Sequence, residues 1–279
     1  MTICIAAVCD YRRALVLASD QMIDFGWYSG EAMALKISAI HQDWVAMFSG
    51  EDVTQVQPLL RSIWTDLHDD NKGHSLERVE DSVIKIWQKR LRQQQINCVL
   101  SQYGFDDMDS FRKTISENPE AFSSAQEEVK KVSLGCELLI AGFDESEVPH
   151  IFTVQHPGSS HHYDMFGFRA IGSGAPVAEN FLSFRSFNNR LALGPSIYRI
   201  CSAKFMAELA SGVGAATSVL VGRVEKKPNR SVVWTEMSEL KLNQTRKTWE
   251  KTKALPSSVE AIITKSIDDG QSFRRQIIR

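Results

Sequence analysis

Residues 2–20 read TICIAAVCDYRRALVLASD, and this stretch decides the fold class. Two short runs rich in apolar and β-branched residues, Thr2 to Cys9 and Ala14 to Asp20, flank a polar link at residues 10–13. Runs of this length and composition are typical of buried strands, and a short polar link between them favours a hairpin. The sequence therefore predicts a β-hairpin within the core.

A second hairpin and two helices are predicted next. Apolar residues 35–40 and 44–48 form another pair of runs, and from Val53 the apolar period changes to helical spacing. Asp52 and Gln55 are expected to cap the first helix, and Pro58 is expected to kink it. The second helix is predicted to begin near Ser75.

The rest of the chain continues the alternation of strands and helices. A helical insertion is predicted at 101–131. Strands are expected at 136–142, 149–155, 166–171, 217–224 and 231–237, and helices at 176–187 and 196–210. This order fits a layered sandwich, with two sheets face to face and helices outside. We expect one domain over residues 1–239 and a C-terminal extension over 240–279.

Composition excludes several classes of function. The 279 residues carry a formal net charge of −2, with 24% charged and 43% hydrophobic residues, so neither nucleic-acid nor membrane binding is expected. The five cysteines are scattered without a CxxC pair, which argues against a disulfide framework or a structural zinc site. No signal peptide or membrane span is evident, and a cytoplasmic location is expected.

The chemistry is predicted to centre on Thr2. Methionine is generally removed before a small residue, and removal of Met1 would place a hydroxyl and a free α-amine on the same residue. An N-terminal amine has a pKa near 7.7–8.0, so it can accept the proton of the hydroxyl. Lys36 is a candidate to assist that proton transfer, with Asp20 holding Lys36 in place. Backbone N–H groups at Gly50, before the first helix, are a candidate oxyanion hole.

The segments TICIAAV, ALVLASDQ, ALKISAI and VAMFSG resemble the N-terminal third of proteasome β-subunits and their bacterial relatives. Downstream, AIGSG at 170–174 resembles the GSG turn of that family, and residues 208–214 resemble its Asp-x-x-Ser-Gly-Gly stretch, with Glu208 in place of the aspartate. By this resemblance the fold is α+β, a four-layer αββα sandwich of the N-terminal-nucleophile (Ntn) hydrolases with two antiparallel sheets between helical layers. The catalytic set that it implies is Thr2, Asp20, Lys36, Gly50, Ser173, Glu208 and Ser211.

The resemblance also implies what the protein acts on and with. It predicts a threonine peptidase that cleaves unfolded polypeptides inside a homo-oligomeric ring or larger assembly, without a cofactor, and an ATP-dependent unfoldase is a candidate partner. The predicted pocket for the residue before the scissile bond consists of Ile23, Ala34, Phe48, Asp52 and Val56. Because most of these are apolar, small-to-medium apolar residues are expected before the cut.

Three alternatives stay open at this point. The chain could be an Ntn amidase acting on a small or specific amide, or a catalytically silent structural subunit. A metal site could also involve the histidines at 150, 156, 161 and 162 with Asp144 and Asp164, but their spacing fits no motif, and no metal site is predicted.

Overall fold

The computed structural model describes residues 2–24, 29–31, 36–69, 73–113, 119–225 and 231–253. The chain divides into two compact units, residues 1–237 and 238–279. The larger unit contains all twelve described strands, and the smaller one contains a single described helix. None of the helices in these ranges combines the length and the apolar character needed to cross a membrane.

All described strands pair antiparallel, in two five-stranded sheets and one short hairpin. The first sheet has the order β10-β1-β2-β11-β12, the second has the order β5-β6-β7-β8-β9, and β3 pairs with β4. The strands are β1 Cys4–Cys9, β2 Ala14–Asp20, β3 Met22–Asp24, β4 Ser29–Glu31, β5 Ile37–Ala39, β6 Trp44–Gly50, β7 Cys136–Phe143, β8 Pro149–Gln155, β9 Ser159–His162, β10 Phe168–Ile171, β11 Thr217–Glu225 and β12 Ser231–Glu236.

Seven α-helices and one short 3-10 turn lie in the described residues. The helices are α1 Val56–Asp69, α2 Leu76–Cys98, α3 Met108–Lys113, α4 Pro119–Lys131, α5 Ala175–Phe184, α6 Leu193–Ala207 and α7 Glu239–Lys253, and the turn is Leu100–Tyr103. The predicted elements are confirmed apart from their ends. The sequence analysis missed the three-residue strands β3 and β4, and also β9, whose residues Ser-Ser-His-His lack the apolar alternation that marks a strand.

The two large sheets pack face to face. Alternate residues of β1 and β2 meet alternate residues of β6, β7 and β8 in one apolar cluster between the sheets. Helices α1 and α2 cover the outer face of the second sheet, where they share a second cluster with β6, β7 and β8. Helices α5 and α6 contact β1, β2 and β10 of the first sheet. The predicted four-layer αββα sandwich is therefore confirmed.

The start of α1 differs from the prediction. The helix begins at Val56, and Pro58 lies in its first turn, where the missing N–H has no intrahelical partner to lose. Pro58 is therefore in a position that helices tolerate. The Asp52 carboxylate accepts hydrogen bonds from Thr54, while Gln55 accepts from Arg90, so the predicted cap pair does not form.

Candidate active site

Three residues of the predicted catalytic set meet at one buried point. The Thr2 hydroxyl donates to Asp20 Oδ1 at 2.5 Å, and Lys36 Nζ donates to Thr2 Oγ1 and, at 2.8 Å, to Asp20 Oδ1. Thr2 is 4% exposed, Asp20 0% and Lys36 3%. The structure thus places an ammonium and a carboxylate on the same threonine hydroxyl, away from bulk water.

Strand pairing explains why these residues meet. Strands β1 and β2 pair with Cys4 opposite Ser19, and the Asp20 N–H donates to the Ile3 carbonyl at 3.1 Å. This register sets the end of β2 beside the residue that precedes β1. Lys36 lies immediately before β5 in the facing sheet, so its side chain reaches Asp20 from the other layer of the sandwich.

Asp20 is a fully buried carboxylate whose two oxygens each accept more than one hydrogen bond. Beyond Thr2 and Lys36, Oδ1 accepts from the Ile3 N–H at 3.0 Å. Oδ2 accepts from the Met22 N–H at 3.3 Å and the Gly214 N–H at 3.0 Å. A buried charge is costly unless it is paired and hydrogen-bonded, and here both conditions hold.

The turn before α5 holds the backbone of Thr2. Thr2 N donates to Ser173 Oγ at 3.3 Å, and the Thr2 carbonyl accepts from Gly174 N at 3.2 Å. A Cβ added to Gly172, whose φ is +95°, would lie 2.3 Å from the Thr2 carbonyl oxygen. Glycine is therefore required at 172 both for its backbone conformation and for the close approach of Thr2.

Ser173 also joins Thr2 to the predicted Ser211. Ser173 Oγ lies 3.4 Å from the Thr2 carbonyl oxygen and 3.2 Å from the Ser211 carbonyl oxygen, both of which are acceptors. Because a hydroxyl carries one proton, it donates to one of these carbonyls at a time. In this contact Ser211 takes part through its backbone carbonyl rather than through its hydroxyl.

Glu208 is connected to this centre through Lys204, a residue that the sequence analysis did not identify. Its carboxylate accepts from Lys204 Nζ at 2.6 Å, and Lys204 is fully buried in α6. The same ammonium donates to the carbonyls of Gly214, Ala215 and Ala216 at 2.7, 3.0 and 3.2 Å. The Lys204 ammonium thus fixes the loop whose Gly214 N–H binds Asp20. The available signal was a lysine in the mostly apolar stretch ICSAKFMA, four residues before a glutamate.

Gly50 ends β6 at the same end of the sandwich. Cys4 Sγ contacts the Phe48 carbonyl at 3.4 Å, which brings the end of β6 beside the start of β1. A Cβ on Gly50 would lie 2.2 Å from the Gly135 carbonyl oxygen, so the strand permits no side chain there. Helix α1 begins six residues later, at Val56. The role of the Gly50 N–H as an oxyanion donor stays a prediction.

The structure describes some of the five predicted pocket residues more fully than others. Ala34 lies outside the described residues, and the structure describes the backbone of Ile23 in β3 but not its side chain. Phe48 and Val56 belong to the apolar cluster under α1 and α2, with 6% and 0% exposure. Asp52 is partly exposed and binds Thr54. The assignment of these five residues to a substrate pocket stays a prediction.

The thiol of Cys4 is not suited to act as the nucleophile of this centre. Cys4 is the thiol nearest to the cluster in sequence, and burial raises its pKa to about 12 although Lys36 acts in the opposite direction. A thiol with that pKa is not ionised near pH 7, and the thiolate is the reactive form. The Thr2 hydroxyl stays the predicted nucleophile.

One comparison with known proteins supports the predicted proteasome-like family. Residues 119–189, about a quarter of the chain, match the sequence model described as "Proteasome subunit". This stretch covers α4, β7 to β10 and α5, and it includes Ser173 but not Thr2, Asp20 or Lys36. No curated protein sequence matches the chain. The match supports a proteasome-like Ntn hydrolase family over this partial region, and that family suggests hydrolase or peptidase chemistry and an oligomeric assembly.

Proposed function

We propose that this protein is an N-terminal threonine peptidase of the proteasome β-subunit type, with Thr2 as its nucleophile. The observation that carries the proposal is the position of the Thr2 hydroxyl between Lys36 Nζ and Asp20 Oδ1. A hydroxyl is a weak nucleophile until a neighbouring group activates it, and a buried ammonium favours the alkoxide. Lysine is rarely buried unless it is paired, and here the Lys36 ammonium is paired with Asp20 and directed at the Thr2 hydroxyl.

The mechanism requires Thr2 to be the first residue of the mature chain, with Met1 removed. Thr2 Oγ1 then attacks the carbonyl carbon of the substrate, and its proton passes to the free α-amine. Ser173 Oγ, 3.3 Å from Thr2 N, orients that amine. Lys36 stabilises the developing negative charge on Oγ1, Asp20 holds Lys36, and the Gly50 N–H is the proposed donor to the oxyanion.

Collapse of the tetrahedral intermediate breaks the C–N bond. The α-amine returns its proton to the leaving amine, and an ester to Thr2 remains. Water then attacks the ester with the same amine as base, which releases the carboxylic acid and restores the hydroxyl. Glu208 and Lys204 act as positioning residues, because they hold the 214–216 loop that donates to Asp20.

The proposed substrates are unfolded polypeptides, cleaved within a homo-oligomer. The support is the proteasome subunit match, since self-compartmentalised assemblies of that family act on extended chains. The predicted pocket of Ile23, Ala34, Phe48, Asp52 and Val56 would favour apolar side chains before the cut, by roughly 1–3 kcal/mol for a leucine-sized group. A fluorogenic peptide library tests it, and a dominant preference for Arg or Lys would contradict the pocket assignment alone.

The proposed function is tested by intact mass, peptide hydrolysis and labelling. We expect a mature chain lacking Met1, hydrolysis of fluorogenic peptides, and one adduct with an electrophile that captures hydroxyl and amine together. Thr2→Ala should abolish hydrolysis and labelling while Thr2→Ser retains both in part, with unchanged circular dichroism. A folded chain that keeps Met1 quantitatively and hydrolyses nothing would identify a silent structural subunit. Activity on small amides by a monomer would instead identify an amidase.

A further inference from the structure

Two histidines and an aspartate meet at the other end of β6. His41 and Asp43 lie in the turn between β5 and β6, and His74 lies just before α2. One ligand atom from each of the three side chains lies within 4.8 Å of the others. Because Gly50 and Asp43 lie at opposite ends of β6, whose residues rise by about 3.3 Å each, this cluster is separate from the Thr2 centre.

The backbone around the cluster is held by hydrogen bonds. Ile40 N and His41 N both donate to the Trp44 carbonyl, and Phe143 N donates to the Asp43 carbonyl at 3.0 Å. His74 is held through its carbonyl by Trp44 Nε1 at 3.1 Å and through its N–H by Glu145 Oε1 at 2.9 Å. The three donor side chains therefore project from fixed positions, and an ion that binds them need not order a loop first.

The two histidines differ in the hydrogen bonds that their ring nitrogens make. His41 Nδ1 accepts from the Asp43 N–H at 3.3 Å, so an ion bound at Nδ1 would replace this long hydrogen bond and leave the proton on Nε2. His74 Nε2 is buried and lies 2.9 Å from Asp43 Oδ2, within ion-pair distance. Yet no hydrogen bond to this nitrogen forms within the described residues, so the two atoms are close without the direction of an N–H···O bond. An ion between them would satisfy both atoms.

We propose that His41, Asp43 and His74 form a binding site for a divalent transition-metal ion of the zinc class. Two imidazoles and one carboxylate are a donor set that zinc accepts with a water as fourth ligand, whereas calcium and magnesium prefer oxygen ligands alone. His68 lies nearby, with its ring centroid 5.5 Å from that of His41, but it is not among the three residues whose ligand atoms lie within 4.8 Å of one another. Asp43 is 6% exposed, so the site is shielded except through the partly exposed histidines.

The role that follows from this position is structural. The ion would connect the turn between β5 and β6 to the start of α2, and thus the second sheet to its helical layer. It would bind the native state and not the unfolded chain, so saturation should raise the melting temperature. The sequence analysis weighed only the histidines at 150, 156, 161 and 162, because His74 is distant in sequence from His41 and Asp43.

The experiment uses untagged full-length protein, dialysed against a chelator and titrated with zinc chloride by calorimetry. We expect one ion per chain. Asp43→Asn and His74→Ala should each weaken binding at least about tenfold. The control variant His161→Ala, which removes an exposed histidine of β9, should bind as the wild type does. Wild-type binding weaker than about 1 mM, or unchanged affinity in His74→Ala, overturns the proposal.

A second measurement needs no variant. X-ray absorption of the zinc-loaded wild type should show two imidazoles, light oxygen ligands and no sulfur. Cobalt in the same site should give the visible absorption of a four-coordinate ion. Sulfur in the coordination shell, or fewer than two imidazoles, would assign the ion to a different site and overturn the proposal. Peptidase activity enters neither measurement, so failure of the proposed function leaves this test intact.

Discussion

The backbone N–H of Gly214 donates to Asp20 Oδ2 at 3.0 Å, which joins residues 194 positions apart in the chain. Asp20 binds Thr2 and Lys36 through its other oxygen. The loop before β11 is therefore connected to Thr2 through the carboxylate, although it makes no direct contact with the Thr2 hydroxyl among the hydrogen bonds described above. Its own anchor is the buried ammonium of Lys204.

Replacing that ammonium should affect both stability and turnover. In Lys204→Met the Glu208 carboxylate and three carbonyls lose a common donor, and breaking a buried pair costs about 3–5 kcal/mol in the free energy of unfolding. Turnover should fall with little change in KM, because Lys204 acts through Gly214 and Asp20. Urea denaturation and steady-state kinetics measure the two effects.

The matched control is the double variant Lys204→Met with Glu208→Gln. It also removes the negative charge that Lys204 compensates in the wild type, so it should recover part of the lost stability. Wild-type stability in the single variant would show that the loop holds itself in place and that Lys204 has no positioning role.

Lys36→Ala should lower kcat by about 10²-fold or more, since a proton-managing partner of the nucleophile is lost. Lys85→Ala is the control, because Lys85 also pairs with an aspartate, Asp66 at 2.9 Å, but lies on the surface with 67% of its side chain exposed. Kinetics with fluorogenic peptides compares them. Near-normal turnover in Lys36→Ala would mean that Lys36 is a structural partner of Asp20 and takes no part in the reaction.

Replacement of glycine by alanine is expected to have opposite effects on stability at positions 172 and 194. In Gly172→Ala the new Cβ would meet the Thr2 carbonyl oxygen at 2.3 Å, so Thr2 must move, and both stability and turnover should fall. In Gly194→Ala nothing lies within 4 Å of the new Cβ. Because position 194 is helical, alanine there should be neutral or stabilising by up to about 1 kcal/mol. Equal effects of the two changes on melting temperature and kcat would contradict the close approach at Gly172.

The pair His150 and Asp164 should make stability depend on pH. Burial opposes the charged form of His150, but the hydrogen bond and charge of Asp164, at 2.5 Å, and then of Asp144, outweigh it and raise the pKa of His150 above 6.5. Burial likewise opposes the charge on Asp164, yet the bond from His150 lowers the pKa of Asp164 below 3.8. A raised histidine pKa stabilises the fold below 6.5 and is lost as pH rises through the folded value. A lowered aspartate pKa stabilises above 3.8 and is lost as pH falls through the folded value.

The stabilisation by this pair should therefore be greatest between the two ordinary pKa values, 3.8 and 6.5. Melting temperatures of the wild type and of His150→Gln should differ most in that window and converge towards pH 9. The exposed His161→Gln, which removes a histidine outside the pair, serves as the control. A difference between His150→Gln and the wild type that does not change with pH would mean that the pair does not titrate with folding.

Local pattern predicted most of the fold and the centre of the site. Strand β1 is buried on both faces, so its uninterrupted apolar run indicated a strand without ambiguity, and β2 was found to the residue. Strand β9 was not predicted because its residues are polar and mostly exposed. Pro58 was predicted to kink α1, but it lies in the first turn, where helices tolerate proline. The effect of a proline depends on which turn of the helix it occupies, and the start of this helix could not be predicted from composition.

Contacts between residues that are far apart in the sequence were harder to predict. Thr2, Asp20 and Lys36 were identified because a family resemblance supplied their spacing. Lys204 lay outside the motifs of that resemblance, and three of the four acceptors described above are backbone carbonyls, which any sequence offers. The same holds for His74, whose approach to Asp43 depends on the path of the chain between α1 and α2.

The burial of Thr2 has a consequence for the order of events during biosynthesis. Under the proposed function, the bond between Met1 and Thr2 must be cut. Thr2 is 4% exposed, its N–H donates to Ser173, and the strand that follows it is paired on both sides. An aminopeptidase reaches the nitrogen of Thr2 more easily before β1 docks, so we expect trimming to compete with folding. Slower synthesis would then yield more mature protein without any change in the trimming enzyme.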